Sequence, residues 1–231
     1  RPELMTSFDS ETENDLIIGD SAINDWTTVT LDTGLGNDSV TGTENADLID
    51  LGEGADTING LAGNDRLDGE AGADTILGGA GLDTLSGGLG NDLILGGADA
   101  DRISGAEGAD SINGEAGADY IDAGAGNDTV DGGADADTIS GGNGNDNLQG
   151  SAGDDNLNGG GGLDVLFGGD GADKTSGGAG DDSAAGGLGN DTLAGGAGND
   201  NLLGEDDNDV LKGDAGNDTL DGGIGDDVVS G

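Results

Sequence analysis

The chain has 231 residues, with 54 Gly, one Pro, no Cys and no His. Fifty acids against five bases give a formal net charge of −45, which excludes nucleic acid as a partner because phosphate binding needs Lys and Arg. No apolar run is long enough to span a membrane. The missing His and Cys exclude soft-metal sites and most nucleophile–base pairs.

Residues 1 to 14 are polar and acidic and read as a linker or a frayed N-terminus. The chain opens Arg1-Pro2-Glu3 with no signal-like segment, so it reads as processed or as a piece of something longer. Residues 15 to 32 read as degenerate N-terminal repeats that cap the domain. Asp15-Leu16-Ile17 and Asp25-Trp26-Thr27 echo the phrase that follows, but at the wrong spacing. Thr28-Val29-Thr30-Leu31 alternates like a strand. Trp26 is expected to plug the open core, and Asp15, Asp20 and Asp25 to add a partial cation site.

Residues 33 to 231 read as one domain. From Thr33 to Ser230 a nine-residue phrase recurs 22 times with no insertion. Gly87-Gly88-Leu89-Gly90-Asn91-Asp92-Leu93-Ile94-Leu95 shows it cleanly. A fixed short period marks a solenoid. High Gly, few aromatics and a large net charge otherwise predict disorder, so order has to come from the repeat.

Position 1 is Gly in 19 copies and position 4 is Gly in 18. The other residues at position 4 are Asn45, Asp99, Asp135 and Asp207, types that tolerate positive φ, so this position is expected to be left-handed. Position 8 is Ile, Leu or Val in 20 copies, with Thr175 and Ala184 as exceptions. Polar residues flank it, which reads as a three-residue strand with one side chain facing inward. The small residues between strands read as a sharp bend. Two strands then make one turn of 18 residues, and eleven turns stack into a rod of roughly 53 Å at the spacing of neighbouring strands.

Position 6 is Asp in all 22 copies. Stacking puts Asp38, Asp56, Asp74, Asp92, Asp110, Asp128, Asp146, Asp164, Asp182, Asp200 and Asp218 along one edge. Asp47, Asp65, Asp83, Asp101, Asp119, Asp137, Asp155, Asp173, Asp191, Asp209 and Asp227 follow along the other. Like charges ~5 Å apart repel strongly unless a cation lies between them. Carboxylates with turn carbonyls form a hard oxygen environment that suits Ca²⁺. Ten gaps per edge allow up to about twenty ions, whose charge would nearly cancel that of the chain. Metal binding is then expected to be coupled to folding.

The phrase resembles the G-G-x-G-x-D-x-U-x repeat of the RTX (repeats-in-toxin) family over residues 33 to 231. The resemblance implies an all-β fold: a right-handed parallel β-roll, or β-solenoid, with Ca²⁺ between successive turns. It implies that the 22 Asp carboxylates and loop carbonyls hold the ions. It also implies secretion, usually by a bacterial type I system. Position 2 departs most from the pattern, at Leu61, Glu70, Ala106, Glu115, Ser151, Glu205 and Asp214, which is expected to alter local turn geometry.

Arg66, Arg102, Lys174 and Lys212 all come from even-numbered copies and point out on one face. Leu77, Leu93, Leu95, Val165 and Phe167 cluster on the other, an expected surface for self-association. Rods meeting end to end are the alternative contact. Residues 168 to 185, with Thr175 and Ala184 inward, are the expected weak spot. Glu53, Glu70, Glu107 and Glu115 read as solvated surface.

The functional expectation is a calcium-binding structural module of a secreted protein. It would fold outside the cell as part of a surface layer, adhesin stalk or filament. The alternative is the C-terminal region of a secreted hydrolase or toxin. With no His, no HExxH and no GxSxG, this chain is not itself expected to be an enzyme. Ice binding by a Thr-x-Asn row is a third class, but position 3 is never Thr.

Overall fold

The computed structural model describes residues 16–18 and 30–231. The stretch 1–14, Trp26, Thr28-Val29 and the acids Asp15, Asp20 and Asp25 lie outside the described residues. Among the described residues the chain is all β, in two parallel sheets of 12 and 14 strands. From Thr75–Ala80 onward successive strands alternate between the sheets, in a coil of about eleven turns overall. From Thr30 onward register is uniform: Leu93 pairs with Thr75 in the turn before and with Ser111 in the turn after.

The N-terminal rung is irregular. The strand Leu16–Ile18 pairs with Ser39–Thr41, so Leu16 meets Ser39, 23 residues on rather than 18. Thr30–Asp32 pairs in the regular register with Leu48–Asp50. The two sheets therefore extend N-terminal of Thr33.

Most strands are six residues long, not three. Thr75–Ala80, Thr84–Leu89 and Leu93–Ala98 are successive examples, joined by Gly81-Leu82-Asp83 and Gly90-Asn91-Asp92. Positions 1 to 3 thus continue the strand, and only positions 4 to 6 turn. Position 2 makes this possible, because its φ is positive: 113° at Gly79 and 104° at Gly88. A left-handed residue bends the strand without ending its ladder.

The seven non-Gly residues expected to alter the turn instead adopt left-handed backbone, with φ from 65° at Glu70 to 79° at Ala106. Leu61, at 77°, keeps the bend and accepts strain of about 1 kcal/mol or more. Position 4 is left-handed, as expected, at Asp99 and Asp135, with φ of 75°, and at Asp207, with φ of 78°; Asn45, expected to share that conformation, does not adopt a positive φ.

The core is a single file of side chains from each sheet. Val40, Ile58, Ile76 and Ile94 run up one side, Ile49, Leu67, Leu85 and Ile103 up the other, all buried. β-Branched and γ-branched residues fill this narrow space and favour the extended chain. Thr175 and Ala184 take the same inward place at 3% and 1% exposure. The Thr175 hydroxyl has no hydrogen-bond partner there. A buried unsatisfied hydroxyl costs about 1–3 kcal/mol. Thr175→Val is therefore expected to slow amide hydrogen exchange across residues 168–185 by about tenfold or more. Before the change, that segment should exchange faster than residues 87–121; equal protection would contradict the argument.

Candidate functional site

The turn is built around the position-6 aspartate. Each one from Asp56 to Asp209 is nearly inaccessible to solvent, at 1–4% exposure. Its Oδ1 accepts a hydrogen bond from the backbone N–H of the Asp 18 residues earlier, as in Asp92 N–H to Asp110 Oδ1 at 2.9 Å. The two edges run as two such ladders, which places the 22 sequence-predicted residues in two files. At the C-terminal end of the files Asp218 and Asp227 are half-buried, and they accept from Asp200 and Asp209 at 3.1 and 3.0 Å.

The second oxygen, Oδ2, is different. From Asp56 through Asp209 it is buried with no hydrogen-bond partner in any copy. In the copies with glycine at position 1, it lies against that glycine. A Cβ placed on Gly60 would sit 2.5 Å from Asp65 Oδ2 and 2.6 Å from the Gly78 carbonyl oxygen. A Cβ on Gly159 would sit at the same distances from Asp164 Oδ2 and the Gly177 carbonyl. Position 1 is glycine to keep this oxygen-lined space open, since its φ lies outside the left-handed range.

Buried oxygens of one sign in a file raise the carboxyl pKa. Burial, the largest cause, and neighbouring aspartates push Asp65, Asp74, Asp101, Asp137 and Asp191 up to about 7 from 3.8. The N–H donated to each opposes this without cancelling it. Asp119, Asp128 and Asp173 are raised to about 6 for the same reason. The gaps therefore favour a positive charge, whether a proton or a cation.

The donor set fits Ca²⁺. It is all oxygen, anionic and partly backbone. Among the described residues no three acidic side chains converge on one point. The groups that could hold an ion between turns are the file carboxylates and carbonyl oxygens such as that of Gly78.

One copy departs from this plan, and sequence reasoning missed it. Thr43 occupies position 2 of residues 42–50, and its N–H donates to Asp47 Oδ2 at 2.7 Å. The Thr43 hydroxyl lies 3.2 Å from both Asp47 oxygens and accepts from Asn45 N–H at 3.1 Å. Here side chain and backbone supply what other copies lack. A Thr where its neighbours carry Gly was the available signal.

A second ladder was also missed. Position-5 Asn and Asp side chains accept from the backbone N–H 18 residues later, as in Asn91 Oδ1 from Ala109 N–H at 2.9 Å and Asn145 Oδ1 from Leu163 N–H at 2.8 Å. The frequency of Asn at position 5 was its trace.

The outer faces divide as expected. Arg66, Arg102, Lys174 and Lys212 lie in strands of the 14-stranded sheet. Arg102 stacks 4.5 Å from the Tyr120 ring centre. Leu77, Leu93, Leu95, Val165 and Phe167 lie in strands of the 12-stranded sheet. Leu93, Val165 and Phe167 are exposed, and Leu77 and Leu95 border a shallow groove with Gly79 and Gly97. Glu53, Glu70, Glu107 and Glu115 are exposed.

Fold and site together define a parallel β-solenoid with an acidic file buried along each edge. The RTX calcium-binding nonapeptide repeat (4 copies) matches residues 30–58, 51–85, 77–112, 104–139, 140–175, 176–211 and 203–231. The chain belongs to that family, and its repeats are calcium-binding repeats. Among solved structures it is similar to a hyperactive, Ca²⁺-dependent, beta-helical antifreeze protein from an Antarctic bacterium. The two share 24% identity with a TM-score of 0.38, over 97% of this chain and 73% of that one. No curated protein matches the chain.

Proposed function

We propose that the chain is a calcium-dependent structural module of a secreted RTX protein, unfolded where calcium is scarce and rigid where it is plentiful. The observation that carries this is the unbroken row of buried, unpartnered Oδ2 atoms from Asp56 to Asp209. Calcium supplies the positive charge those atoms face when it is bound. The position-6 aspartates from Asp38 to Asp227 are its carboxylate ligands, with up to about twenty inter-turn sites. Extracellular calcium modules bind at about 10⁻⁴ to 10⁻³ M, so cytosolic calcium leaves them empty. An unfolded chain suits export by a type I system, and folding outside acts as a one-way step. The rod then serves as a spacer in a surface layer, adhesin stalk or filament, and no catalytic role is assigned to it.

Calcium titration followed by circular dichroism and hydrodynamic radius tests the reading. Strand signal should rise, and the radius shrink from an expanded chain toward a short rod, with a midpoint of about 10⁻⁴ to 10⁻³ M. A strand signal indifferent to chelation would defeat it.

The apolar ridge of the 12-stranded sheet is the surface read as joining a second copy side by side. Replacing Leu93 and Leu95 with Asp should abolish calcium-dependent self-association while leaving the strand signal intact. Unchanged association would remove that surface from consideration.

A further inference from the structure

The first three copies close the space that later copies keep open. From Gly60 onward position 1 is Gly in every copy but one, Ala123. In the first and third copies it is Thr33 and Leu51, both fully buried. The second copy keeps Gly42 but follows it with Thr43.

Each of the three closes its space by a different means. A Cβ added at Gly69 would lie 2.5 Å from Asp74 Oδ2 and 2.8 Å from the Gly87 carbonyl oxygen, 18 residues on. Thr33 already carries a side chain at the equivalent place. Its hydroxyl donates at 2.7 Å to the carbonyl of Leu51, the counterpart of Gly87 one turn on. Leu51 stands next along the same edge, and it belongs to the hydrophobic core. On the other edge, Thr43 is the one position-2 residue whose φ is not positive. Its N–H donates to Asp47 Oδ2 at 2.7 Å, and its hydroxyl lies 3.2 Å from the same oxygen.

An ion does not fit these three places. Ca²⁺ takes about six to eight oxygen ligands. In the first copy the Leu51 carbonyl is already engaged by a hydroxyl. In the second the file oxygen itself is engaged, by a backbone N–H that cannot be removed. In the third a hydrocarbon side chain takes the place of the glycine and supplies no oxygen at all. The later copies show none of these features except the Ala123 methyl.

We propose that the gaps Asp38/Asp56, Asp47/Asp65 and Asp56/Asp74 take no calcium, and that Thr33, Thr43 and Leu51 make residues 30–59 a metal-independent cap on the calcium-loaded turns. This rests on the calcium reading above and narrows it. Among the described turns, Asp38, Asp47 and Asp56 border only closed gaps. The ligand files therefore begin at Asp74 on one edge and at Asp65 on the other. Asp47 and Asp56 act instead as hydrogen-bond acceptors, for Thr43 N–H and for Asp38 N–H at 2.7 Å. Burial and hydrogen bonds replace ions in the turns where the solenoid starts, where repeats commonly depart from their pattern.

Calcium bound at saturation, counted on the full chain after dialysis, tests this. Asp92→Asn is the reference, because Asp92 lines two open gaps, and it should lose one or more ions. Asp47→Asn and Asp56→Asn should bind as many ions as the parent and keep its strand signal in calcium. Asn retains one acceptor oxygen, which is all that either structural bond requires. Should Asp47→Asn lose strand signal, the count in Asp56→Asn decides. A loss of one ion or more in either folded variant overturns the proposal. No loss in Asp92→Asn, or a parent chain that binds no ion, overturns the calcium reading itself and this refinement with it.

Discussion

In chelator at pH 7.5 the chain is expected to lack strand signal, and acidifying to pH 5 is expected to restore part of it with no calcium present. The reason lies in the aspartate files. Burial, and after it the neighbouring carboxylates, raise Asp65, Asp74, Asp101, Asp137 and Asp191 to about 7 from 3.8 in the folded roll. The folded state then holds protons that the unfolded chain has released. Stability from these protons is fully present below about pH 3.8 and is lost as pH rises through about 6 to 7. This is the reverse of the usual carboxylate, which stabilises a fold when ionised. At pH 5 the unfolded chain still carries most of its negative charge, so solubility is kept.

Calcium inverts the dependence. It needs ionised carboxylates, so its affinity should climb between pH 5 and 7, with protons released on binding. Two measurements check this: circular dichroism of metal-free chain against pH, and proton uptake or release during calcium titration at pH 6. A metal-free strand signal that is flat or falls on acidification would contradict the proton argument. Calcium binding without proton release at pH 6 would contradict the displacement.

Much of this was legible in the sequence because the structure repeats what the sequence repeats. The period placed Ile76 on Ile94 and Asp74 on Asp92 before any coordinates, and the pairing agrees. Thr175 and Ala184 were correctly expected inward. What stayed hidden concerns neighbours 18 residues away. A glycine at position 1 reads as a turn residue, yet Gly78 lies in the strand Thr75–Ala80 and is small for the sake of Asp83 Oδ2. The six-residue strand was hidden for the same reason. Two glycines look like a bend until a ladder is seen to run through them. The self-sufficiency of Asp47 needed the contact with Thr43 to be visible.

Gly60→Ala is expected to cost the roll one bound ion and about 1–3 kcal/mol, although alanine suits a strand better than glycine does. A methyl there would lie 2.5 Å from Asp65 Oδ2 and 2.6 Å from the Gly78 carbonyl oxygen, inside the space where an ion would meet both. Either the carboxylate swings away, abandoning the cation, or the turn above lifts and lengthens its ladder bonds. Gly161→Ala is the control. It lies in the strand Asn156–Gly161, and an added Cβ meets nothing within 4 Å. That change should leave ion count intact and stabilise the strand slightly. The chain also contains the reverse experiment, because Ala123 already fills this place and is fully buried. Ala123→Gly should therefore tighten calcium at the gap lined by Asp128. Ion counting at saturation and calcium-loaded hydrogen exchange read all three variants. Identical counts and identical protection for Gly60→Ala and Gly161→Ala would show that the space beneath the glycine holds no ion.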